Sequence, residues 1–211
     1  MSADDSVVVA DTHPACRTLG PGTRFAIWVQ GCPLTCAGCV SPQWLPFDGG
    51  ERRTVAELAA EILATDTNGL TLSGGEPFAQ AAGLAALVRT VRRERDLSVM
   101  CFTGFTLPRL RRLDDAGVAA LLGEVDLLVD GPYVASKHGD LRWRGSSNQR
   151  IHQLTTRHAA DLDGPDHSAG LQIEVLPDGT VHWLGVPAVA DFRSRFEQAL
   201  NIVSTREEGC R

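Results

Sequence analysis

No stretch of this 211-residue chain is apolar for the length a membrane-spanning helix needs, because charges or glycines interrupt every candidate. The opening Met1-Ser2-Ala3-Asp4-Asp5 is acidic and leads into no basic, then apolar, segment, so the expectation is no secretory leader and a cytoplasmic location. Positive charge is in deficit: 20 Lys plus Arg stand against 26 Asp plus Glu, a formal net charge of -6. That argues against a nucleic-acid partner gripped through a basic surface. Lysine is nearly missing, with Lys137 alone, a bias of genome composition from which no chemistry is drawn. There is no internal repeat and no low-complexity tract. The six histidines (His13, His138, His152, His158, His167 and His182) show neither H-x-x-x-H nor H-E-x-x-H spacing, so a second metal centre finds no support. What remains is globular: 43% hydrophobic and 22% charged, enough for one ordinary domain with a modest extension.

A β-then-α alternation is legible. Phe25-Ala26-Ile27-Trp28-Val29 is a short apolar run suited to a buried strand. A long loop with Pro42, Pro46 and Gly49-Gly50 follows. Thr54-Val55-Ala56-Glu57 has the form of a capping box, and Val55, Leu58, Ala59, Ile62 and Leu63 fall on one helix face until Asn68-Gly69. Leu70 to Ser73 reads as a second strand, ending in Gly74-Gly75-Glu76-Pro77. Leu84, Leu87, Val88 and Val91 make the stripe of the next helix, with Arg89, Arg92 and Arg93 as a solvated face near its end. Leu97 to Phe102 is a third strand, closed by Thr103-Gly104. Residues 107–122 make a third helical stretch with Gly117 inside it, and Val125 to Val129 a fourth strand, closed by Asp130-Gly131-Pro132. This order predicts a parallel sheet with right-handed crossovers, and it gathers the polar and glycine features at the carboxyl edge, where such folds bind ligands. Residues 135–150 are polar and basic, and 155–170 loop-like. Leu171 to Leu176 and Val181 to Leu184 flank Pro177-Asp178-Gly179-Thr180 as a β-hairpin; residues 187–201 suit a terminal helix, and the last ten residues a frayed end.

Six cysteines are present, Cys16, Cys32, Cys36, Cys39, Cys101 and Cys210, and in a reducing compartment an even count implies no disulfides. Three of them crowd into Gly31-Cys32-Pro33-Leu34-Thr35-Cys36-Ala37-Gly38-Cys39, a C-x3-C-x2-C spacing. Three thiolates in one loop suit a soft metal centre. A four-iron cluster on three cysteines leaves one iron open for a ligand. The spacing equally admits a zinc site completed by Cys16 or His13, or a redox pair with a spare thiol. Cys101 falls on an apolar strand and reads as core; Cys16 and Cys210 read as spare.

The cysteine loop, followed by Gly74-Gly75-Glu76-Pro77 at a strand end, resembles the two signatures of the radical S-adenosylmethionine (SAM) enzymes. Gly20-Pro21-Gly22-Thr23-Arg24-Phe25, Ser41-Pro42-Gln43-Trp44, Thr103-Gly104-Phe105, Asp130-Gly131-Pro132-Tyr133 and Arg144-Gly145-Ser146-Ser147-Asn148-Gln149-Arg150 resemble the activating proteins of anaerobic ribonucleotide reductase. The resemblance covers about residues 16–152. It implies an α/β partial (β/α) barrel, a curved and mostly parallel sheet with outer helices, to which the C-terminal hairpin and helix are added. It implies a [4Fe-4S] cluster on Cys32, Cys36 and Cys39, with SAM chelating the open iron. It also implies reductive cleavage of SAM to a 5'-deoxyadenosyl radical that takes hydrogen from a glycine of the reductase.

The cofactor-binding residues expected on that reading are Gly38, Val40, Gly74, Gly75, Glu76, Thr103, Asp130, Asn148 and Arg150. Gly74 and Gly75 would let the backbone approach the methionine end of SAM, and Glu76 would take its ammonium or cap a helix. Gly38 stands where many relatives carry an aromatic residue, which leaves the adenine to backbone and neighbours. Asp130 is equally a turn former, and Asn148, Gln149 and Arg150 would meet ribose, carboxylate or partner backbone. The partners implied are a glycyl radical reductase and a flavodoxin or ferredoxin as electron donor. Two other functions share these features in part: a stand-alone radical SAM tailoring enzyme acting on a peptide or small metabolite, and a metal-binding module without catalysis. The expected division is a core at residues 1–155 and an extension at 156–211 packed on it.

Overall fold

A computed structural model describes residues 5–199 apart from 178 and 180. In chain order the elements are β1 (Ser6–Cys16), β2 (Arg24–Val29), β3 (Glu51–Thr54), α1 (Val55–Leu63), β4 (Gly69–Gly74), α2 (Ala81–Arg92), β5 (Ser98–Phe102), α3 (Leu107–Leu110), α4 (Ala116–Glu124), β6 (Leu127–Asp130), β7 (His138–Leu141), β8 (Arg144–Ser146), β9 (Arg150–Gln153), β10 (Leu171–Val175), β11 (Val181–Gly185) and α5 (Phe192–Ala199). The main sheet runs β3-β1-β2-β4-β5-β6-β9. Its four central strands, β2, β4, β5 and β6, are parallel; β1 and β9 flank them antiparallel, and β3 pairs antiparallel with β1. The fold is therefore mixed α/β with a mainly parallel centre, and the sheet is not a closed barrel. Among the described residues no helix is long and apolar enough to cross a membrane.

The two faces of the sheet are covered differently, as the alternation of β2 shows. Phe25, Ile27 and Val29 point into the main core, where α1, α2 and α4 contribute Leu58, Ile62, Leu84, Leu87, Val88, Val91, Val118 and Leu121. Ala26 and Trp28 point the other way and pack with Cys16, Leu19 and Leu184 of β11. Met100, Leu127 and Val129 meet Trp143 on that second face. Every β2 residue is buried, as a strand covered on both faces requires. Arg24 is included: its guanidinium donates to Thr71 Oγ1 (2.7 Å), Ser98 Oγ (2.9 Å) and the carbonyls of Pro21, Leu70 and Ser98. Those bonds tie together the amino ends of three strands, and burial lowers its pKa to about 10.

The four apolar strands, the capping box of α1 and the C-terminal hairpin stand as the sequence indicates. Thr54 Oγ1 accepts from Glu57 N, and Glu57 accepts from Thr54 N. Five elements carried no apolar signal that was read: β1, β3, β7, β8 and β9. Glu51-Arg52-Arg53-Thr54 and Arg150-Ile151-His152-Gln153 are mostly polar edge strands, held by backbone pairing to β1 and β6. The stretch 107–122 is two helices rather than one, because Asp115 caps α4 by accepting from Val118 N (2.9 Å). Arg92 is not a solvated residue; it pairs with Glu124 and Asp126 at 2.9 Å each. Cys16 is not spare but fully buried core, as is Cys101. Cys210 and the end of the expected terminal helix lie outside the described residues.

Candidate functional site

The carboxyl ends of the parallel strands open into a cavity of about 330 Å³, the size range of small-molecule sites. Cys32, Cys36 and Cys39 line it together with Gly74, Gly75, Glu76 and Gly104. The cysteine loop leaves β2 at Gly31, whose φ of +93° only glycine adopts readily. The loop is pinned at both ends: Gly31 N donates to Trp44 O and Cys32 N to Leu45 O, each at 2.9 Å, while Gln30 Nε2 donates to Pro46 O at 2.7 Å. Trp44 packs on Trp28 with ring centroids 5.8 Å apart. Burial pushes the Cys32 and Cys39 thiols up, against the pull of the Leu34 and Ser41 backbone N–H groups.

Among the described residues no three His, Cys, Asp or Glu side chains converge as a single ion requires. The three thiols nevertheless share one cavity, which fits a polynuclear cluster whose cysteines bind different irons. His13 and Cys16, the candidates to complete a zinc site, do not line it. His13 Nε2 faces Glu174 Oε2 at 2.9 Å, and the Cys16 thiol lies against Thr18.

The glycine turn after β4 is demanded by the protein's own backbone. A Cβ on Gly74 would come within 2.4 Å of Val29 N, and one on Gly75 within 2.3 Å of Gly31 O. Gly75 N donates to Val29 O (2.7 Å) and Glu76 N to Gly31 O (2.9 Å), so this turn clamps the start of the cysteine loop. Glu76 is fully buried at the cavity wall. Its Oε1 accepts from Phe78 N (3.0 Å) and Thr103 Oγ1 (2.8 Å), and its Oε2 from Gly104 N (2.9 Å). It therefore caps the turn after β4 and ties it to the end of β5. Burial raises its pKa to about 7, although those three hydrogen bonds pull the other way.

The remaining expected residues divide. Val40 lines the cavity and is 60% exposed. Gly38, Thr103, Asp130, Asn148 and Arg150 do not line it. Gly38, with a φ of +76°, lies beside the Tyr133 ring. Asp130 Oδ2 accepts from Leu107 N (2.6 Å) and faces His152 Nε2 at 3.0 Å, which fixes the start of α3 against β9. Asn148 Nδ2 donates to Pro132 O (2.8 Å). Gln149 Nε2 donates to Gly131 O (3.1 Å), and its Oε1 accepts from Gly145 N and Ser146 N. The Arg144–Arg150 motif thus fastens the loop after β6, and only Gly145 and Gln149 of it reach the cavity. Arg150 is exposed and pairs in register with Asp130.

Sequence reasoning missed one wall. Leu171, Val181 to Pro187 and Ala190 line the same cavity, opposite no recognised motif. Tyr133 joins that wall to the core: its hydroxyl meets His138 Nδ1 at 3.1 Å, and His138 Nε2 meets Pro187 O at 3.0 Å. A carbonyl only accepts, so Nε2 carries a proton, and in the neutral ring the tyrosine hydroxyl then donates to Nδ1.

Comparison with known proteins places these features. Residues 18–152 match the model of a family described as a 4Fe-4S single cluster domain. The anaerobic ribonucleoside-triphosphate reductase-activating protein of Vibrio cholerae is 38% identical over 147 residues, 64% of this chain and 91% of that protein. Its namesake from Pasteurella multocida is 34% identical over 156 residues, 68% and 95%. That of Enterobacteria phage T4 is 31% identical over 147 residues, 66% and 89%. Among solved structures, QueE from Escherichia coli overlaps with a TM-score of 0.39 and 18% identity, covering 48% of this chain and 53% of that one, too slight a likeness to argue from.

Proposed function

The chain belongs to the family of anaerobic ribonucleoside-triphosphate reductase-activating proteins, and on that premise we propose that it is a radical SAM activase that installs a glycyl radical in an anaerobic ribonucleotide reductase. The observation that carries this reading is the convergence of Cys32, Cys36 and Cys39 with the Gly74-Gly75-Glu76 turn on one cavity at the carboxyl edge of the sheet. A [4Fe-4S] cluster with SAM on its open iron supplies one-electron cleavage of SAM and, through it, hydrogen abstraction.

The chain's own residues do the holding. Cys32, Cys36 and Cys39 bind three irons as thiolates. The Gly74-Gly75 backbone would hold the methionine end of SAM, and Glu76, its carboxylate already taking three donors, retains acceptor capacity that an ammonium proton would use. Val40, which lines the cavity, would flank the nucleoside, and Gly38 sits beside Ala135 and the Tyr133 ring. Thr103, Asp130 and Asn148 act behind the wall by fixing the loops after β5 and β6, and Arg150 stands exposed on β9. A flavodoxin or ferredoxin supplies the electron. The sheet curves as a partial barrel around this site, with residues 1–155 as the catalytic core and 156–211 as an extension of the same domain.

The test is anaerobic reconstitution with the cognate reductase. Wild type is expected to bind about four irons, form 5'-deoxyadenosine and give a glycyl signal in electron paramagnetic resonance; Cys36→Ala is expected to lose iron and both products. SAM cleavage with no glycyl signal would instead favour a stand-alone enzyme acting on a peptide or metabolite.

A further inference from the structure

The family model ends at residue 152, yet the cavity continues along residues 171–190. The curated relatives are matched over 89–95% of their length by 64–68% of this chain, so about a third of the chain has no counterpart in them. The described hairpin, β10 and β11, is docked on the core. Leu184 is buried with Cys16, Leu19, Ala26 and Trp28. Gln172 Oε1 accepts from Arg17 N (3.0 Å), and Glu174 meets His13. Gly185, with a φ of +110°, lets β11 approach so closely that a Cβ there would lie 2.8 Å from Thr18 Oγ1. Trp183 is backed by Phe192 and Phe196 of α5, with ring centroids 6.4 and 5.2 Å away. The hairpin is a fixed wall.

The shape of that wall carries the argument. All five residues of β11, Val181 to Gly185, line the cavity, whereas only Leu171 of β10 does. Successive residues of a strand point to opposite faces, so five in a row border one space only where that space runs along the strand's length. β11 thus supplies one side of the cavity, the side that carries neither the cysteines nor the glycine turn. The cysteines and the glycine turn line other parts of the same cavity, so an occupant against β11 would share one space with what the core holds.

We propose that β11 is the hydrogen-donor side of the site: the glycine-bearing segment of the reductase lies extended along Val181 to Gly185, and the extension selects it. This rests on the activase reading above. In the reconstituted protein, Val181→Arg fills the trough at one end, and Val181→Ala is a milder change at the same place. The probes are the cognate reductase and a synthetic peptide of about twelve residues centred on its radical-bearing glycine. Cluster absorbance and melting temperature show that each variant is folded. Val181→Arg is expected to weaken capture of both probes by about tenfold or more and to leave the SAM dissociation constant within about twofold of wild type, with Val181→Ala closer to wild type.

Unchanged capture by Val181→Arg, or loss of SAM affinity in its place, would overturn the proposal while leaving the activase reading standing. If wild type itself neither binds nor activates the reductase, the activase reading fails and the assignment of this wall falls with it.

Discussion

Glu76 is one side chain with two demands on it. Its carboxyl is fully buried at the cavity, and burial raises its pKa from 4.5 to about 7. The folded chain therefore holds this proton more tightly than the unfolded chain does. The stability that Glu76 contributes is fully present below about pH 4.5 and is lost as pH rises through about 7. Glu76→Gln keeps an oxygen for Phe78 N and Thr103 Oγ1 but turns an amide donor toward Gly104 N. Urea unfolding of SAM-free protein at pH 5 and pH 7.5 is expected to show wild type losing ground to Glu76→Gln as pH rises; parallel pH profiles would contradict this. The residue was visible in the sequence as part of a motif. Its burial and its tie to Thr103 were not, because Thr103 is 27 positions away and meets it only when β4 and β5 pair.

At the scale of elements, the central strands covered on both faces announce themselves, and the polar edge strands do not. β2, β4, β5 and β6 are marked by buried apolar residues, with Thr71 and Ser73 interrupting β4, because both their faces are covered. β3 and β9 satisfy only backbone groups on one side, so Glu51, Arg52, Arg53 and Arg150 are tolerated and no pattern marks them. The cysteine loop shows the same limit. Its spacing announces a soft metal centre, but what holds it in place is the clamp between Val29, Gly31, Trp44 and Gly75. Gly75→Ala would push a methyl carbon to 2.3 Å from Gly31 O, a backbone atom that cannot swing aside. We expect it to cost about 1–3 kcal/mol, with a fall in the melting temperature and in iron retained after reconstitution. A variant with wild-type iron content and melting temperature would show that the clamp yields without cost.

At the scale of the whole molecule, the extension and the core share one packed surface. Leu184 of β11 fills the space over Ala26 and Trp28 that helices leave uncovered on that face of the sheet. Leu184→Asp would place an unpaired carboxylate there, and a loss of about 3 kcal/mol or more is expected in denaturant unfolding, with a red shift of tryptophan emission as Trp28 becomes wet. Unchanged unfolding would mean that the hairpin rests on the core without supporting it. The sequence by itself determined the local chemistry: three thiols in one loop, a glycine turn after a strand, helix caps, and apolar runs long enough only for buried strands. These are legible because each depends on neighbours a few residues away. The tertiary structure alone decided which of the motif residues border the cavity and which brace it from behind. It also decided that residues far beyond the recognisable core wall the same cavity, because that arrangement depends on contacts between segments more than a hundred residues apart, which no local pattern encodes.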